Sequence, residues 1–294
     1  MSNILFRLLL NRYNLNQNMD ISFTILALVS AIFASMANII ARVLLKDIKA
    51  SSVIGVYFAI MAVTMLVLSP LFYHFEYSPK SIMLLLSIVL IDIIANYFYF
   101  KTFEKSEASV ATPLLSIAPL FTFILSYFIL GESVDVKTLL LSLTIVFLII
   151  WFGYVPNSKY TKETLRPAII ASFLFGLSAI PTKELLSEVD VINAPTLYMF
   201  RAALIAIIAL LIFKTKTNIS VKQYRLMFFR GLIVITQWVL LYYALTKGAA
   251  GVTMTISNTA PIFVFIFSII ILNEKPTLKK MLAAIAVLVL ALII

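Results

Sequence analysis

Asp92 is the one charged residue in the apolar run 82–100, and Asn96 follows it by one helical turn. A carboxylate so placed can take up a proton or hold a cationic group, and an amide on the same helix face can help orient either. Arg201 occupies a comparable place in the apolar run 194–213, where it can form a gating ion pair or meet a solute carboxylate. Ser116 and Asn258 each stand three residues before the proline of an Ala-Pro pair, Pro119 and Pro261. A proline inside a helix releases the carbonyl of the preceding turn, so freed backbone and polar side chains meet at these two points. Thr112 lies one turn before Ser116, and Ser257 adjoins Asn258. Ser35, Asn38 and Arg42 form a polar stripe, and Ser178 precedes Pro181. Gln237 beside Trp238 sets an amide against an aromatic wall, a pairing suited to a planar or amphipathic solute.

These groups need elements to hold them. The chain is 62% hydrophobic and 12% charged with a mean hydropathy of +1.06, whereas soluble domains carry about 25% charged residues. Uncharged segments of about 20 residues recur, the length that crosses roughly 30 Å of hydrocarbon as helix, and backbone satisfaction in lipid requires each to be helical. Ten spans are predicted, over roughly 21–45, 52–73, 81–102, 108–130, 137–155, 167–187, 192–213, 226–246, 250–272 and 278–294. An ionised aspartate at the centre of such a span costs about 2.5 to 3.5 kcal/mol, so Asp92 must face protein or water. With no cysteine and a single histidine, His74, the chain has no means for thiol chemistry, disulfides, a clustered metal site or a histidine-based triad. No cofactor is implied. The net charge of +10 sits in short loops between apolar segments, where it sets membrane orientation; nucleic acid is not an expected partner, and the lipid bilayer is.

The Ala118-Pro119 pair returns at Ala260-Pro261 after 142 residues, and Lys105, Phe123, Ser126, Glu132 and Lys137 return as Lys247, Phe265, Ser268, Glu274 and Lys279. Apolar segments match one another cheaply, but a proline, a glutamate and lysines at one offset mark a duplication. Five spans per copy is an odd number, so the second copy enters the membrane from the opposite face. The expected fold is therefore an all-α integral membrane protein of ten transmembrane helices in two inverted five-helix repeats. The expected organisation is a tail at 1–18, a first repeat at 19–155 and a second at 156–294, with Met19 an alternative start and no cleaved signal peptide. Inverted repeats suit alternating access around a midplane site.

The stretch from Tyr97 to Glu132, with Lys105, Ser106, Ala108, Ala111, Pro119 and the Gly131-Glu132 helix end, resembles the EamA-type repeat of the drug/metabolite transporter superfamily. The copy from Leu240 to Glu274 is similar to it, and Arg201 matches an arginine often found at that place. The resemblance implies a basket of ten helices. Spans one, three, four, six, eight and nine would line a cavity, two and seven would border it as gates, and five and ten would lie outside. It also implies a multi-pass protein of the bacterial cytoplasmic membrane, a monomer or homodimer, that moves a small metabolite such as an amino acid or similar solute.

The remaining candidates read more plainly. Pro119, Glu132, Pro261 and Glu274 recur in both copies, which points to structure; the glutamates could bond a neighbouring helix end or pair with Lys137 and Lys279. Arg42 and Lys183 correspond across the repeat and read as snorkelling anchors. Arg230, Tyr99, Tyr242 and Tyr243 read as interfacial. The loops carry six basic residues on the side of the termini and sixteen on the other, which places the termini outside the cytoplasm, whereas the resemblance implies cytoplasmic termini. The leading function is secondary transport, with Asp92 as the group for proton coupling. An integral-membrane enzyme acting on a lipid headgroup would need converging acids or histidines, and only Glu104 with Glu107, and Glu184 with Glu188 and Asp190, group at all. A non-transporting scaffold would not need polar residues at matched depths in both copies.

Overall fold

A computed structural model describes residues 22–106, 108–153, 162–188, 191–213, 219–272 and 278–294. The tail at 1–18, Met19, Glu107, Asp190, Glu274 and the expected boundary at 155–156 lie outside the described residues.

Among the described residues twelve α-helices follow one another: α1 Phe23–Leu45, α2 Ala50–Leu68, α3 Pro79–Lys105, α4 Ala108–Leu115, α5 Ala118–Leu125, α6 Val136–Gly153, α7 Lys162–Ser187, α8 Ala194–Ile212, α9 Val221–Lys247, α10 Ala250–Ser257, α11 Ala260–Leu272 and α12 Leu278–Ile293. They make ten spans, because α4 with α5, and α10 with α11, are single spans broken in the middle. Eight of the ten are long and apolar enough to cross a bilayer by length and composition. The other two are α6, apolar over Val136–Phe152, and α12.

Several helices run past the apolar windows that predict them, and the caps explain why. Ser78 and Ser81 close a capping box at the start of α3, with Pro79 in the first turn. Ser220 and Gln223 do the same for α9, 142 residues later. Each box satisfies orphan amide donors outside the hydrocarbon, so α3 and α9 begin before the predicted spans. Asn193 caps α8 by accepting from the Thr196 amide at 2.9 Å.

The packing is that of a pseudo-two-fold. Helix α3 lies along α7, and its repeat mate α9 lies along α1; α2 pairs with α8, and α6 with α12. The two broken spans cross each other, α10 against α5 and α11 against α4. Each pairing is either its own mate or has one, as an inverted duplication requires. A large buried cluster runs through α1, α2, α3, α7, α8 and α9, and a smaller one joins α6, α10 and α12. Glycine sets the close approach of α7 to α5: a Cβ on Gly176 would meet Phe121 Cβ at 2.8 Å and the Ala118 carbonyl at 3.0 Å. That lets α7 press on the start of α5, where Pro119 interrupts the span.

The breaks are chemically managed. Pro119 cannot donate to the Leu115 carbonyl, and the Ser172 hydroxyl on α7 donates to that oxygen at 3.1 Å. At the second break, Ser30 and Ser257 share a hydroxyl–hydroxyl bond of 3.3 Å. The first broken span ends in a wide turn over Ser126–Leu130 closed by Gly131 at φ 65°, a left-handed value that glycine adopts without strain.

Candidate functional site

Between the two repeats lies a cavity of about 110 Å³. Its wall is built from helix faces. On α9, Arg230, Val234, Gln237, Trp238 and Leu241 recur at the spacing of one face. Ala34 and Asn38 come from α1, Asn96 and Tyr99 from α3, Tyr57 and Phe58 from α2, and Phe175 from α7. The two breaks close the wall with Thr112, Ser116, Ser257 and Asn258. Spans five and ten contribute none of these residues. Spans two and seven, expected to stand together as bordering elements, differ: α2 supplies Tyr57 and Phe58, while α8 supplies nothing to the lining.

Of the candidates, Asn38, Asn96, Thr112, Ser116, Gln237, Trp238, Ser257 and Asn258 line this cavity, and Ser35, Asp92, Ser178 and Arg201 do not. Ser35 donates to the Ile32 carbonyl at 2.6 Å within its own helix. Asn38 accepts the Tyr99 hydroxyl at 2.6 Å. Asn96 does share the face of Asp92, but its amide donates to the Asp92 backbone carbonyl at 2.8 Å and not to the carboxylate. Ser116 and Asn258 each turn a side chain back onto their own helix, donating to Thr112 and Met254 carbonyls at 3.0 and 2.8 Å.

Asp92 and Arg201 form a buried ion pair between α3 and α8, through Oδ2 and Nε, with 1% and 0% of their surfaces exposed. Ser178 on α7 sits against the Asp92 carboxylate. The guanidinium carbon lies 3.9 Å from the Trp238 ring centroid, a cation–π contact strengthened by exclusion of water. Trp238 thus has the cavity on one side and the ion pair on the other. The pair is only partly satisfied: Asp92 Oδ1 and both terminal nitrogens of Arg201 lack hydrogen-bond partners.

Sequence reasoning missed Arg230, Tyr57, Tyr99 and Phe175. Arg230 and Tyr99 read as interfacial, yet Arg230 is 3% exposed and both face the cavity; Tyr242, with the same expectation, is buried beside Trp238 with ring centroids 5.7 Å apart. The signal for Arg230 was its register, since it shares a helix face with Gln237 and Trp238. Tyr243 is 42% exposed, as an interfacial residue would be. Arg42 and Lys183 bend inward: Arg42 donates to the Phe103 carbonyl at 2.8 Å, and Lys183 donates to the carbonyl of Leu245, the repeat mate of Phe103. Both cap the C-terminal ends of long helices, where a cation is favoured. Glu132 Oε2 accepts from the Ala250 amide at 2.8 Å and so caps the start of α10.

One face of the protein is closed below the cavity. Phe75 bridges Ile192, and the Glu76 amide donates to the Val191 carbonyl at 2.8 Å. Asn193 donates to the Phe72 carbonyl at 2.6 Å, and Lys80 pairs with Glu184 and Glu188 at 3.0 and 2.6 Å. On the opposite face a groove of about 750 Å³ has Lys49, Lys101, Lys105, Lys162 and Arg166 in its wall together with Glu104 and Glu163, and it shares no lining residue with the cavity. Among the described residues no group of three or more histidine, cysteine or acidic side chains could hold a metal.

The model of the EamA-like transporter family matches residues 22–154 and again 167–294. The chain belongs to the EamA-like transporter family. A protein of Archaeoglobus fulgidus described as an uncharacterized transporter is 27% identical over 216 residues, covering 73% of this chain and 75% of its own. A solved crystal structure of a protein superposes with a TM-score of 0.71 at 11% identity, covering 92% of this chain and 94% of that one, which speaks to the fold. EamA-like membership makes this a multi-pass membrane transporter of small solutes.

Proposed function

We propose that this EamA-like protein is a secondary transporter that carries a small polar or amphipathic metabolite across a bacterial cytoplasmic membrane by alternating access, as a monomer or homodimer. The observation that carries the reading is a cavity lined by both inverted repeats, with a bonded seam joining the two repeats on one face.

The repeat supplies the opposite state. The mates of Lys80 and Glu188 are Lys222 and Asp47, which form no ion pair among the described residues. Exchange of the two clamps, one opening as the other closes, would expose the cavity to each side in turn. Asp92 is the candidate for proton coupling: its neutralisation would release Arg201 from the pair beside Trp238, linking a proton to the cavity wall. The test is counterflow in proteoliposomes loaded with candidate metabolites. Accelerated uptake of labelled solute against unlabelled internal solute is expected, with Asp92→Asn weakening proton-driven movement more than exchange. Uptake that ignores internal solute would contradict carrier exchange, and indifference to the proton gradient would remove the coupling step alone.

A further inference from the structure

Arg230 is the only formally charged side chain in the described cavity wall. Asp92 does not reach that wall and is neutralised by Arg201, so no carboxylate among the described residues balances it. A guanidinium carries five N–H donors and stays charged. Here Nε donates to the Ala37 carbonyl at 3.0 Å and Nη2 to the Tyr99 hydroxyl at 3.2 Å, while Nη1 has no partner. The cation is stacked, with its carbon 4.5 Å from the Tyr57 ring centroid and 5.1 Å from that of Phe100. These contacts fix the plane of the guanidinium and leave Nη1 without a partner. A second donor is idle nearby: Thr112 Oγ1 is buried, faces the same cavity and has no partner.

A buried cation without a counter-ion is unfavourable unless a ligand supplies the missing charge. The rigid fork of arginine matches the two oxygens of a carboxylate or phosphate. We infer that the transported solute carries an anionic group, a carboxylate or phosphate, that docks at the unpartnered Nη1 of Arg230, with its body against Trp238, Phe175 and Tyr57. The inference rests on the transport reading and narrows it: a permanently cationic solute would meet an uncompensated positive charge in a small cavity.

The experiment holds shape constant and varies charge. Purified protein is titrated with benzoate, phenyl phosphate, benzamide and benzylamine, followed by thermal shift and by competition with counterflow. Benzoate or phenyl phosphate is expected to raise the melting temperature and compete, with the neutral and cationic analogues at least about tenfold weaker, the loss typical of a charge-assisted bond. The stronger of the two anions identifies which chemistry the site accepts. Arg230→Gln should abolish the charge preference, and Arg230→Lys should retain part of it. Should Arg230→Gln fail to fold, the wild-type charge series still decides. Equal or stronger binding of benzamide or benzylamine, or no anion binding at any soluble concentration, overturns the inference. Counterflow of a neutral or cationic solute in the same vesicles would leave the transporter reading standing while removing this one.

Discussion

Arg201 and Arg230 are both buried cations held by aromatic rings, and their surroundings assign them different work. Arg201 has a protein carboxylate and is sealed behind Trp238; Arg230 has only neutral partners and faces the cavity. Removing one member of a buried pair leaves the other charge uncompensated, which typically costs about 3–5 kcal/mol. Asp92→Asn should therefore lower the melting temperature in detergent markedly, and adding Arg201→Met should recover much of the loss. A double mutant no more stable than Asp92→Asn would show that the pair is not coupled as described. Arg201 stood out in the sequence as a single charge in an apolar run, whereas Arg230 read as interfacial. The depth of Arg201 was legible; its partner was not, because the pairing of Arg201 with Asp92 joins α8 to α3 across the repeat boundary and no local pattern carries it.

At the scale of elements, the two broken spans do most to shape the cavity. Pro119 and Pro261 announced the breaks in the sequence, and the structure places them one residue inside α5 and α11. What local sequence did not reveal is how the freed carbonyls are satisfied. Ser172, on another span, donates to both Leu114 and Leu115 at 3.3 and 3.1 Å. Hydrogen bonds between membrane helices average about 0.6 kcal/mol and reach about 1.7, so Ser172→Ala should destabilise by that order in a denaturation series. Gly176→Val should cost more, about 1–3 kcal/mol, as overpacking does, since its side chain would meet the Ala118 carbonyl as well as Phe121. Unchanged unfolding of Gly176→Val would contradict the close approach of α7 to α5. The helix ends show the same limit. Arg42 and Lys183 were readable as a matched pair of cations, but their use as caps for α3 and α9 needed the helices brought side by side.

Over the whole molecule, the inverted repeat was the most legible feature, because an odd number of spans fixes the relative direction of the two copies. The asymmetry between the faces was not legible, since two similar sequences give no sign of which clamp is shut. The Lys80 clamp is partly exposed and its charges are screened by water, so Lys80→Glu should leave the melting temperature nearly unchanged while, under the proposed alternating access, favouring opening of that face. A large loss of stability in that variant would instead make the clamp a structural tie.

The protein has no cysteine, so a single Asn258→Cys substitution places one reactive thiol on the cavity wall. The direct test of the account is to label that thiol in sealed vesicles with a membrane-impermeant reagent applied to either face. Labelling from both faces, with transported solute slowing it and Lys80→Glu speeding it on the clamp face, is the predicted result. Labelling from one face alone, unaltered by solute or by Lys80→Glu, would contradict alternating access through this cavity.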